Sequence, residues 1–435
     1  MISMNKVRIG VLGGYRGGSM INYCKRADNA ELVAVCDHSP EVLQAQKDMA
    51  KGMDVAFYSD FDEFLNHDMD AVVLANYATE HAPFAIKALK KGLHVYSEVL
   101  PCQTMKEAVE LIEAVEESGK IYAFGENYCY MAAPYEMRKQ YRAGKIGEFE
   151  YAEGEYVHNG EPIWHAITYG ERDHWRNHLY STYYCTHSLG PIVHITGLRP
   201  VSVIGMESEK NARRLRVGAP TGLFSVALVT FENGGIMKNL QGWLYEGSVW
   251  WTVHGSKGRM ETPRREQDNP DYLTRLYIHA DEVEGAYKEK AENYMPERDQ
   301  DAVGKDFGHG GSDFYVMWNF CEKIKGNPEA DIIDVYEAMD MFLPGMFAYR
   351  SILNGSIPMQ IPNLRNKEER ELWRNDTACT DAKVAGDMLL PPCKGGFPDI
   401  PESVYDKMKQ KWEDEKKNPN GNYRAKIFAS GAKKE

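Results

Sequence analysis

Short apolar runs alternate with amphipathic stretches through the first 127 residues of the chain. Apolar runs bounded by turn residues are typical of strands buried on both faces, which predicts strands over residues 6–12, 31–36, 71–75, 93–97 and 121–125. The stretches between them predict helices from residue 19 and over residues 40–49, 61–66, 81–91 and 105–118. Strands that alternate with helices form a parallel, doubly wound sheet whose ligands lie at the carboxyl ends of the strands.

After residue 127 the pattern changes to longer strands with alternating polarity. Residues 223–231, 236–241 and 249–254 are strand-like, and Asn233 and Gly234 between the first two predict a hairpin, because Asn-Gly accepts positive φ angles. An antiparallel sheet is therefore expected. Amphipathic helices are predicted over residues 313–325 and 334–354. The chain beyond residue 364 is rich in Lys, Pro, Asn and Gly and is expected to be an extension whose last part is mobile.

A glycine-rich turn joins the first strand to the first helix. It contains Gly13, Gly14, Tyr15, Arg16, Gly17 and Gly18. Glycine lets the backbone bend sharply and approach a pyrophosphate held at a helix N-terminus. Tyr15 stands where a strict G-x-G-x-x-G motif has its second glycine, so taken alone the loop also fits an ordinary turn.

Polar side chains at later strand ends strengthen a dinucleotide interpretation. Asp37 closes the second strand, where a carboxylate can accept both ribose hydroxyls; the alternative is that it only caps the next segment. His38 and Ser39 follow it, with no arginine to meet a 2′-phosphate, so NAD is favoured over NADP. Four more residues at or just beyond strand ends are expected beside cofactor or substrate, together with Glu126: Asn76, His81, Glu98 and Asn127.

These patterns divide the chain into three parts. We expect an α/β fold in which residues 1–127 form an NAD-binding Rossmann domain with a doubly wound parallel sheet. Residues 128–364 are expected to form a C-terminal α/β domain with a large, mainly antiparallel sheet. Residues 365–435 form the extension.

Composition narrows the range of functions. The chain has 43% hydrophobic and 26% charged residues, and no apolar run approaches the roughly 20 residues of a membrane span. The N-terminus lacks a signal-peptide pattern and the eight cysteines are scattered singly, which predicts a cytoplasmic protein with reduced thiols. A net charge of −13 argues against nucleic-acid binding. Small uncharged or modestly charged substrates fit better.

Residues 75–101 resemble the Gfo/Idh/MocA oxidoreductase family, which carries a Glu-Lys-Pro motif after a His-Val pair. Glu98 and Pro101 match the motif, but Val99 and Leu100 stand where the lysine is expected. The resemblance implies that this lysine handles the proton of the alcohol in family dehydrogenases. Its absence argues against ordinary dehydrogenase chemistry.

A second departure points to one branch of that family. In the Asp-x-x-x-His motif of the dehydrogenases, His187 matches the histidine and Tyr183 replaces the aspartate. Several segments resemble instead the NAD-dependent glycoside hydrolases of family 109, within a similarity that spans about residues 6–362: 98–101, 126–130, 154–158, 175–176, 184–191 and 309–313. The resemblance implies a glycosidase that holds NAD tightly and forms a homo-oligomer through its second sheet.

The chemistry so implied assigns roles to individual residues. Oxidation of a sugar hydroxyl requires a base near neutral pH, and His187 is the candidate. A ketone at C3 acidifies the C2 proton, so Tyr184 or Tyr183 could act as a second base for elimination; water addition and re-reduction would complete a net hydrolysis. The following side chains are candidates to hold the sugar, although each fits a core position equally well: Tyr156, His158, Trp164, Trp175, Arg176 and His309.

Three alternatives stay open at the level of sequence. Six histidines between residues 157 and 195 suggest a metal, but none forms a helical pair with a nearby carboxylate, so no metal is expected. The main alternative to the glycosidase is a net NAD-dependent sugar or polyol dehydrogenase, which includes an enzyme that forms 3-keto-glycosides. A non-catalytic NAD(H)-sensing protein is a third, disfavoured by the retention of His187.

Overall fold

The computed structural model describes residues 6–209, 211–245, 247–264, 273–304 and 306–418. In the first domain the strands are β1 (Val7–Leu12), β2 (Ala30–Cys36), β3 (Ala56–Tyr58), β4 (Ala71–Leu74), β5 (His94–Ser97) and β6 (Tyr122–Phe124). The helices are α1 (Gly18–Arg26), α2 (Pro40–Met49), α3 (Phe61–Phe64), α4 (His81–Lys90) and α5 (Met105–Ser118). The sequence predicted all of these except β3, whose three half-buried residues carry no periodic signal.

The first sheet is parallel in the order β3-β2-β1-β4-β5-β6 among the residues described. Its central strands are buried on both faces, as their continuous apolar sequences predict. The order reverses between β1 and β4, which places a crevice at the carboxyl ends of these two strands. The predicted doubly wound Rossmann sheet is confirmed.

The second domain is built on a larger sheet. Its strands are β7 (Phe149–Val157), β8 (Pro200–Glu207), β9 (Phe224–Phe231), β10 (Ile236–Gly242), β11 (Ser248–Gly255), β12 (Gly258–Glu261), β13 (Leu276–Asp281), β14 (Glu289–Tyr294) and β15 (Met359–Gln360). In the described ranges their order is β14-β13-β12-β11-β7-β10-β9-β8-β15, antiparallel except for the β7 and β10 pair. Gly234 turns the predicted β9–β10 hairpin with a φ of 89°. The mainly antiparallel second sheet is also confirmed.

The second domain also contains seven α-helices in the described ranges. They are α6 (Ala132–Arg142), α7 (Trp164–Thr168), α8 (Thr186–Thr196), α9 (Ala212–Leu215), α10 (Asp301–Gly304), α11 (Ser312–Ile324) and α12 (Val335–Leu353). Of these, α6, α8 and α12 pack on the sheet. The buried helix α8 contacts β7 and β11, and Trp251 on β11 donates from Nε1 to the Ser188 carbonyl at 3.0 Å. This packing fixes the N-terminal turn of α8 beside the first domain.

The segment after residue 364 packs on the body of the protein. It forms α13 (Lys367–Trp373), α14 (Ala382–Ala385) and α15 (Glu402–Lys416). Arg370 is buried and makes a bidentate contact with Glu116 of α5. Tyr405, Met408 and Trp412 bury one face of α15. The part expected to be mobile, residues 419–435, lies outside the described residues.

Two further expectations concern whole-chain properties. No described helix combines the length and the apolar character that crossing a bilayer would require. All eight cysteines are buried free thiols.

Candidate active site

A cavity of about 990 Å³ opens at the carboxyl edge of the first sheet, between the two domains. The residues that follow β1, β2, β4 and β5 form one wall, and side chains of the second domain form the other. This is the edge at which a doubly wound sheet places its ligands.

At two positions of the glycine turn after β1, the surrounding backbone leaves no room for a side chain larger than hydrogen. Gly13 has a φ of +91°, and a Cβ there would lie 2.4 Å from the Ala75 carbonyl oxygen. A Cβ on Gly17 would lie 2.4 Å from the Gly13 carbonyl oxygen. Gly18 begins α1, so the turn leads directly into a helix N-terminus, as a pyrophosphate cradle requires.

Polar groups for a dinucleotide line the same wall. The Asp37 carboxylate accepts from the backbone N–H groups of Gly14 at 2.7 Å and Ser39 at 2.8 Å. Burial raises the pKa of Asp37, and these two hydrogen bonds oppose the shift. Asn76 Oδ1 is buried with no hydrogen-bond partner among the described residues. A tight glycine turn, a carboxylate after β2 and an unpartnered acceptor after β4 fit NAD.

Arg16 and Asp313 connect the two domains beneath the cavity. The Arg16 guanidinium makes two hydrogen bonds to the Asp313 carboxylate, at 3.1 and 3.2 Å, and lies 2.8 Å from Glu98 Oε1. Asp313 also accepts from Asn127 Nδ2 at 2.9 Å and contacts His309 Nδ1 at 3.1 Å. One buried carboxylate thus holds an arginine, an amide and an imidazole in place.

The contacts in this network shift the pKa values of its charged side chains. Burial would raise the pKa of Asp313, but Arg16 and His309 outweigh it and hold that pKa well below its usual range. The hydrogen bond to Asp313 raises the pKa of His309 above its ordinary value. Burial raises the pKa of Glu98, and Arg16 opposes the shift.

His187 lies in the first turn of α8 and is oriented by Glu126. His187 Nδ1 lies 2.9 and 3.0 Å from the two oxygens of the Glu126 carboxylate, which is fully buried. This contact places the Nδ1 proton toward the carboxylate and leaves Nε2 as the ring nitrogen available to a ligand in the cavity. A base whose other nitrogen is held by a carboxylate can take up a proton and be stabilised as it does so.

Three tyrosine rings surround the His187 imidazole. Centroid distances are 4.5 Å to Tyr128, 4.6 Å to Tyr156 and 5.5 Å to Tyr184. The Tyr184 hydroxyl accepts a hydrogen bond from Arg176 Nη1 at 3.4 Å. The predicted partners His187 and Tyr184 therefore lie side by side on the cavity wall.

Tyr183 does not reach the cavity. Its ring is 1% exposed and packs against Tyr180 and Phe342, at centroid distances of 5.1 and 5.5 Å. Successive residues before a helix point in different directions, and α8 turns Tyr184 rather than Tyr183 toward His187. The structure thus removes Tyr183 from contact with a ligand in the cavity.

The side chains predicted to hold the sugar all line the cavity: Tyr156, His158, Trp164, Trp175, Arg176 and His309. The Arg176 guanidinium stacks 4.3 Å above the Trp175 ring centroid. Burial raises the pKa of Tyr156, which keeps the phenol protonated, and lowers the pKa of His158, which keeps its ring neutral. The cofactor candidates Tyr15, His81 and Asn127 line it as well.

Several residues in or behind the cavity wall make contacts that the sequence did not predict. Glu126 was placed at a strand end, but only the fold brings it to His187. Asp313 belongs to a segment of family resemblance, yet it lies nearly 300 residues from Arg16 in the chain. Lys409, Trp412, Glu413 and Lys416 of α15 also line the cavity; the spacing of Tyr405, Met408 and Trp412 was the available signal that this helix packs on the protein.

His165, His174 and His194 of the histidine-rich stretch contact other groups of the protein. His174 Nδ1 accepts from the Arg176 N–H at 3.2 Å, His165 Nε2 contacts Glu415 of α15 at 2.5 Å, and His194 Nδ1 contacts Glu337 at 2.6 Å. In the part of the chain that the structure describes, no three His, Cys, Asp or Glu side chains converge as metal ligands do.

Comparisons with known families agree with this geometry. Residues 7–126 match the model of the oxidoreductase family with an NAD-binding Rossmann fold, Gfo/Idh/MocA. Residues 249–369 match the glycosyl hydrolase 109 C-terminal domain. The chain is 28% identical to a glycosyl hydrolase family 109 protein of Solibacter usitatus over 82% of this chain and 88% of that protein. It is 25% identical to one of Porphyromonas gingivalis, over 83% and 85%.

Solved structures share the fold. An inositol dehydrogenase homologue from Azotobacter vinelandii, complexed with NADH and myo-inositol, superimposes with a TM-score of 0.65 at 16% identity, over 82% of this chain and 98% of that one. An aldose-aldose oxidoreductase from Caulobacter crescentus gives 0.64 at 17% identity, over 82% and 99%. The chain is therefore an NAD-dependent enzyme that joins the Rossmann domain of the Gfo/Idh/MocA oxidoreductase family to the C-terminal domain of glycosyl hydrolase family 109.

Proposed function

We propose that the protein is a glycosidase that oxidises its substrate transiently at C3, eliminates the aglycone, adds water and reduces the sugar again. The observation that carries this proposal is that His187, oriented by the buried Glu126 carboxylate, lies on the cavity wall next to Tyr184. Val99, which occupies the motif position of the dehydrogenase lysine, also lines the cavity. NAD, when bound, supplies the hydride acceptor and donor for the sugar carbon.

His187 accepts the proton of the C3 hydroxyl through Nε2. Its ring then carries a positive charge, and the buried Glu126 carboxylate at 2.9 and 3.0 Å from Nδ1 stabilises that charge. The same pair returns the proton when the ketone is reduced. Glu126 is a positioning residue, because it acts through His187.

Tyr184, acting as a phenolate, takes the C2 proton that the C3 ketone has made acidic, and the aglycone leaves C1 with the electron pair of the glycosidic bond. Arg176 donates to the Tyr184 oxygen at 3.4 Å, and its positive charge stabilises the phenolate that serves as the base. Tyr183, buried away from the cavity, takes no part. Water adds its hydroxyl at C1 of the resulting double bond, C2 regains a proton through Tyr184, and the other proton of the water goes to the aglycone, so the net reaction is hydrolysis.

The remaining cavity residues divide between the two ligands. We assign the dinucleotide to Gly13, Tyr15, Arg16, Gly17, Gly18, Asp37, Asn76, His81, Glu98 and Asn127, as expected from sequence. Tyr156, His158, Trp164, Trp175, Arg176 and His309 hold the carbohydrate by flat ring faces and hydrogen bonds. The names of the glycosyl hydrolase family 109 relatives and the inositol bound in the A. vinelandii neighbour support a carbohydrate substrate.

Wider features of the protein belong to the same proposal. We place the domain limits at residues 1–127, 128–364 and 365–435, and the protein in the cytoplasm. Homo-oligomerisation through the outer face of the second sheet is supported by the exposed apolar side chains Met206, Leu228 and Ile236 on neighbouring strands. Light scattering with a charge substitution at Leu228 tests the oligomer.

The test of function uses aryl glycosides and purified protein without added NAD. Release of phenol with no net rise in NADH absorbance is expected. Formation of NADH in proportion to the substrate consumed would instead establish the alternative, a net sugar or polyol dehydrogenase. A matched His187→Ala variant should lose about 10²–10⁴-fold in turnover. A variant that retains turnover within about tenfold would remove His187 from the mechanism.

A further inference from the structure

Arg214 on α9 is a buried cation in the cavity wall. The residue is 8% exposed and lines the cavity. Its guanidinium carbon lies 4.0 Å from the centroid of the Trp243 ring, which lines the cavity too. Trp164 meets Trp243 edge to face at 4.7 Å. A fixed guanidinium and two indole rings therefore share one side of the cavity.

The neighbouring arginines have acceptors, and Arg214 has none among the described residues. Arg213 Nε lies 2.8 Å from the Glu161 carboxylate, which Arg216 also contacts. No described carboxylate oxygen lies within 4.0 Å of Arg214, and its Nε is buried with no hydrogen-bond partner. Glu207 acts on Arg214 from farther away, and its own Oε2 accepts from the Lys394 backbone N–H at 2.6 Å.

A buried guanidinium without an acceptor is costly for a folded protein. Burial lowers the pKa of Arg214 to about 9, and Glu207 only partly opposes that shift. A planar fork of N–H donors matches the oxygens of carboxylate, sulfate and phosphate groups. An anion that entered the cavity would supply the missing acceptor.

The same cavity wall carries a second unpartnered polar atom. Gln241, two residues before Trp243, lines the cavity, and its Oε1 is buried with no hydrogen-bond partner in the described ranges. This oxygen can accept from a sugar hydroxyl. An acceptor for hydroxyls, two indole rings and a cation together match one acidic sugar better than a neutral one.

We propose that Arg214 binds an anionic substituent of the sugar, so that the substrates of this enzyme are acidic glycosides. The acidic group is a carboxylate, a sulfate ester or a phosphate ester, all of which offer the same oxygens to the guanidinium. The glycoside part of this statement rests on the function proposed above; the contact between Arg214 and an acidic sugar does not.

The dinucleotide is the other source of phosphate oxygens near the cavity. Arg214 stacks on Trp243, which forms with Trp164 and Ala219 a small apolar cluster separate from the large core of the two sheets. The glycine turn that cradles a pyrophosphate lies in the other domain. Arg214 is therefore assigned to the substrate.

Direct binding tests the inference without turnover. Calorimetry on the NAD-loaded protein compares three acidic sugars, a hexuronic acid, a hexose 6-sulfate and a hexose 6-phosphate, with the neutral hexoses. At least one of the three acidic sugars should bind about 10-fold or more tightly than the neutral hexose from which it derives. The sugar that does so identifies the acidic group that Arg214 binds. Equal affinity for all acidic and neutral sugars overturns the proposal.

Substitutions at Arg214 test whether this residue causes the tighter binding of acidic sugars. Arg214→Met should abolish the difference in affinity between acidic and neutral sugars, with little change in the affinity for neutral sugars. Arg214→Lys should keep part of that difference. Arg216→Met, the same change on an exposed arginine of the same segment, should leave it unchanged. If Arg214→Met melts too early to assay, Arg214→Gln takes its place. A preference that survives loss of the guanidinium, or a loss of NAD affinity alone, contradicts the proposal.

Acidic aryl glycosides separate this inference from the proposed function. Acidic sugars that bind through Arg214 while no glycoside releases phenol would refute the glycosidase and leave the anion site standing. Neutral glycosides hydrolysed faster than acidic ones would refute the anion site and leave the glycosidase standing.

Discussion

The contact between Glu126 and His187 gives the sharpest prediction for catalysis. Glu126→Gln keeps the size of the side chain but removes the charge that holds Nδ1 at 2.9 and 3.0 Å. An amide N–H can donate to Nδ1, which would move the ring proton to Nε2, the nitrogen that must act as the base. Both the orientation and the protonation state of His187 are then wrong for proton removal.

The size of the effect follows from the type of bond. A hydrogen bond to a charged group contributes about 1.5–3 kcal/mol, and Glu126 is fully buried, so water cannot replace it. Applied to the transition state, that energy corresponds to a fall in kcat of about 10- to 150-fold. KM should change by less than about threefold, because Glu126 reaches the substrate only through His187.

Steady-state kinetics on aryl glycosides measures both constants. Glu136→Gln is the matched control: this buried carboxylate accepts from Gln140 and Tyr294 on another part of the protein, and its loss should leave kcat unchanged. If Glu126→Gln kept kcat within about threefold, or lost activity only in proportion to its bound NAD, the role assigned to the pair would be refuted.

Three further predictions test the rest of the site. Asp37→Ala should weaken NAD binding by about 10- to 100-fold in a fluorescence titration, and unchanged affinity would remove Asp37 from the ribose site. Because the hydrogen bond to Asp313 raises the pKa of His309 above 6.5, the stability that wild type gains over His309→Gln should be full below about pH 6.5 and lost as pH rises through the raised value; melting curves from about pH 5.5 to 9 check the sign, and an advantage that grows with pH contradicts it. Trp412→Ala should cost about 3–5 kcal/mol in the free energy of unfolding and raise KM, since the ring is both buried and part of the cavity wall; chemical denaturation and kinetics measure the two effects.

The first domain could be predicted from sequence because its signals are local. Each buried strand is a continuous apolar run, and the loop from Gly13 to Gly18 lies between a strand and a helix. Asp37 could be placed at the end of β2 for the same reason. Helix bounds agreed with the structure to within two residues, as at Pro40–Met49 and Met105–Ser118.

The second domain could be predicted only in part because its contacts are distant in sequence. β7 lies between β10 and β11, which begin nearly 80 residues or more after it ends, and nothing local reveals that pairing. The contact of Arg16 with Asp313 and that of Glu126 with His187 likewise depend on how the domains pack. Tyr183 and Tyr184 look equivalent in sequence, and only the packing of α8 distinguishes them.

Hydrolysis in heavy water tests the central claim most directly. If the enzyme oxidises C3 and Tyr184 removes the C2 proton, the released sugar should carry one deuterium from solvent bound to C2, detected by mass spectrometry and NMR, with no accumulation of NADH. Release of phenol with no deuterium at C2 would contradict the account, since the glycosidic bond would then break without removal of that proton.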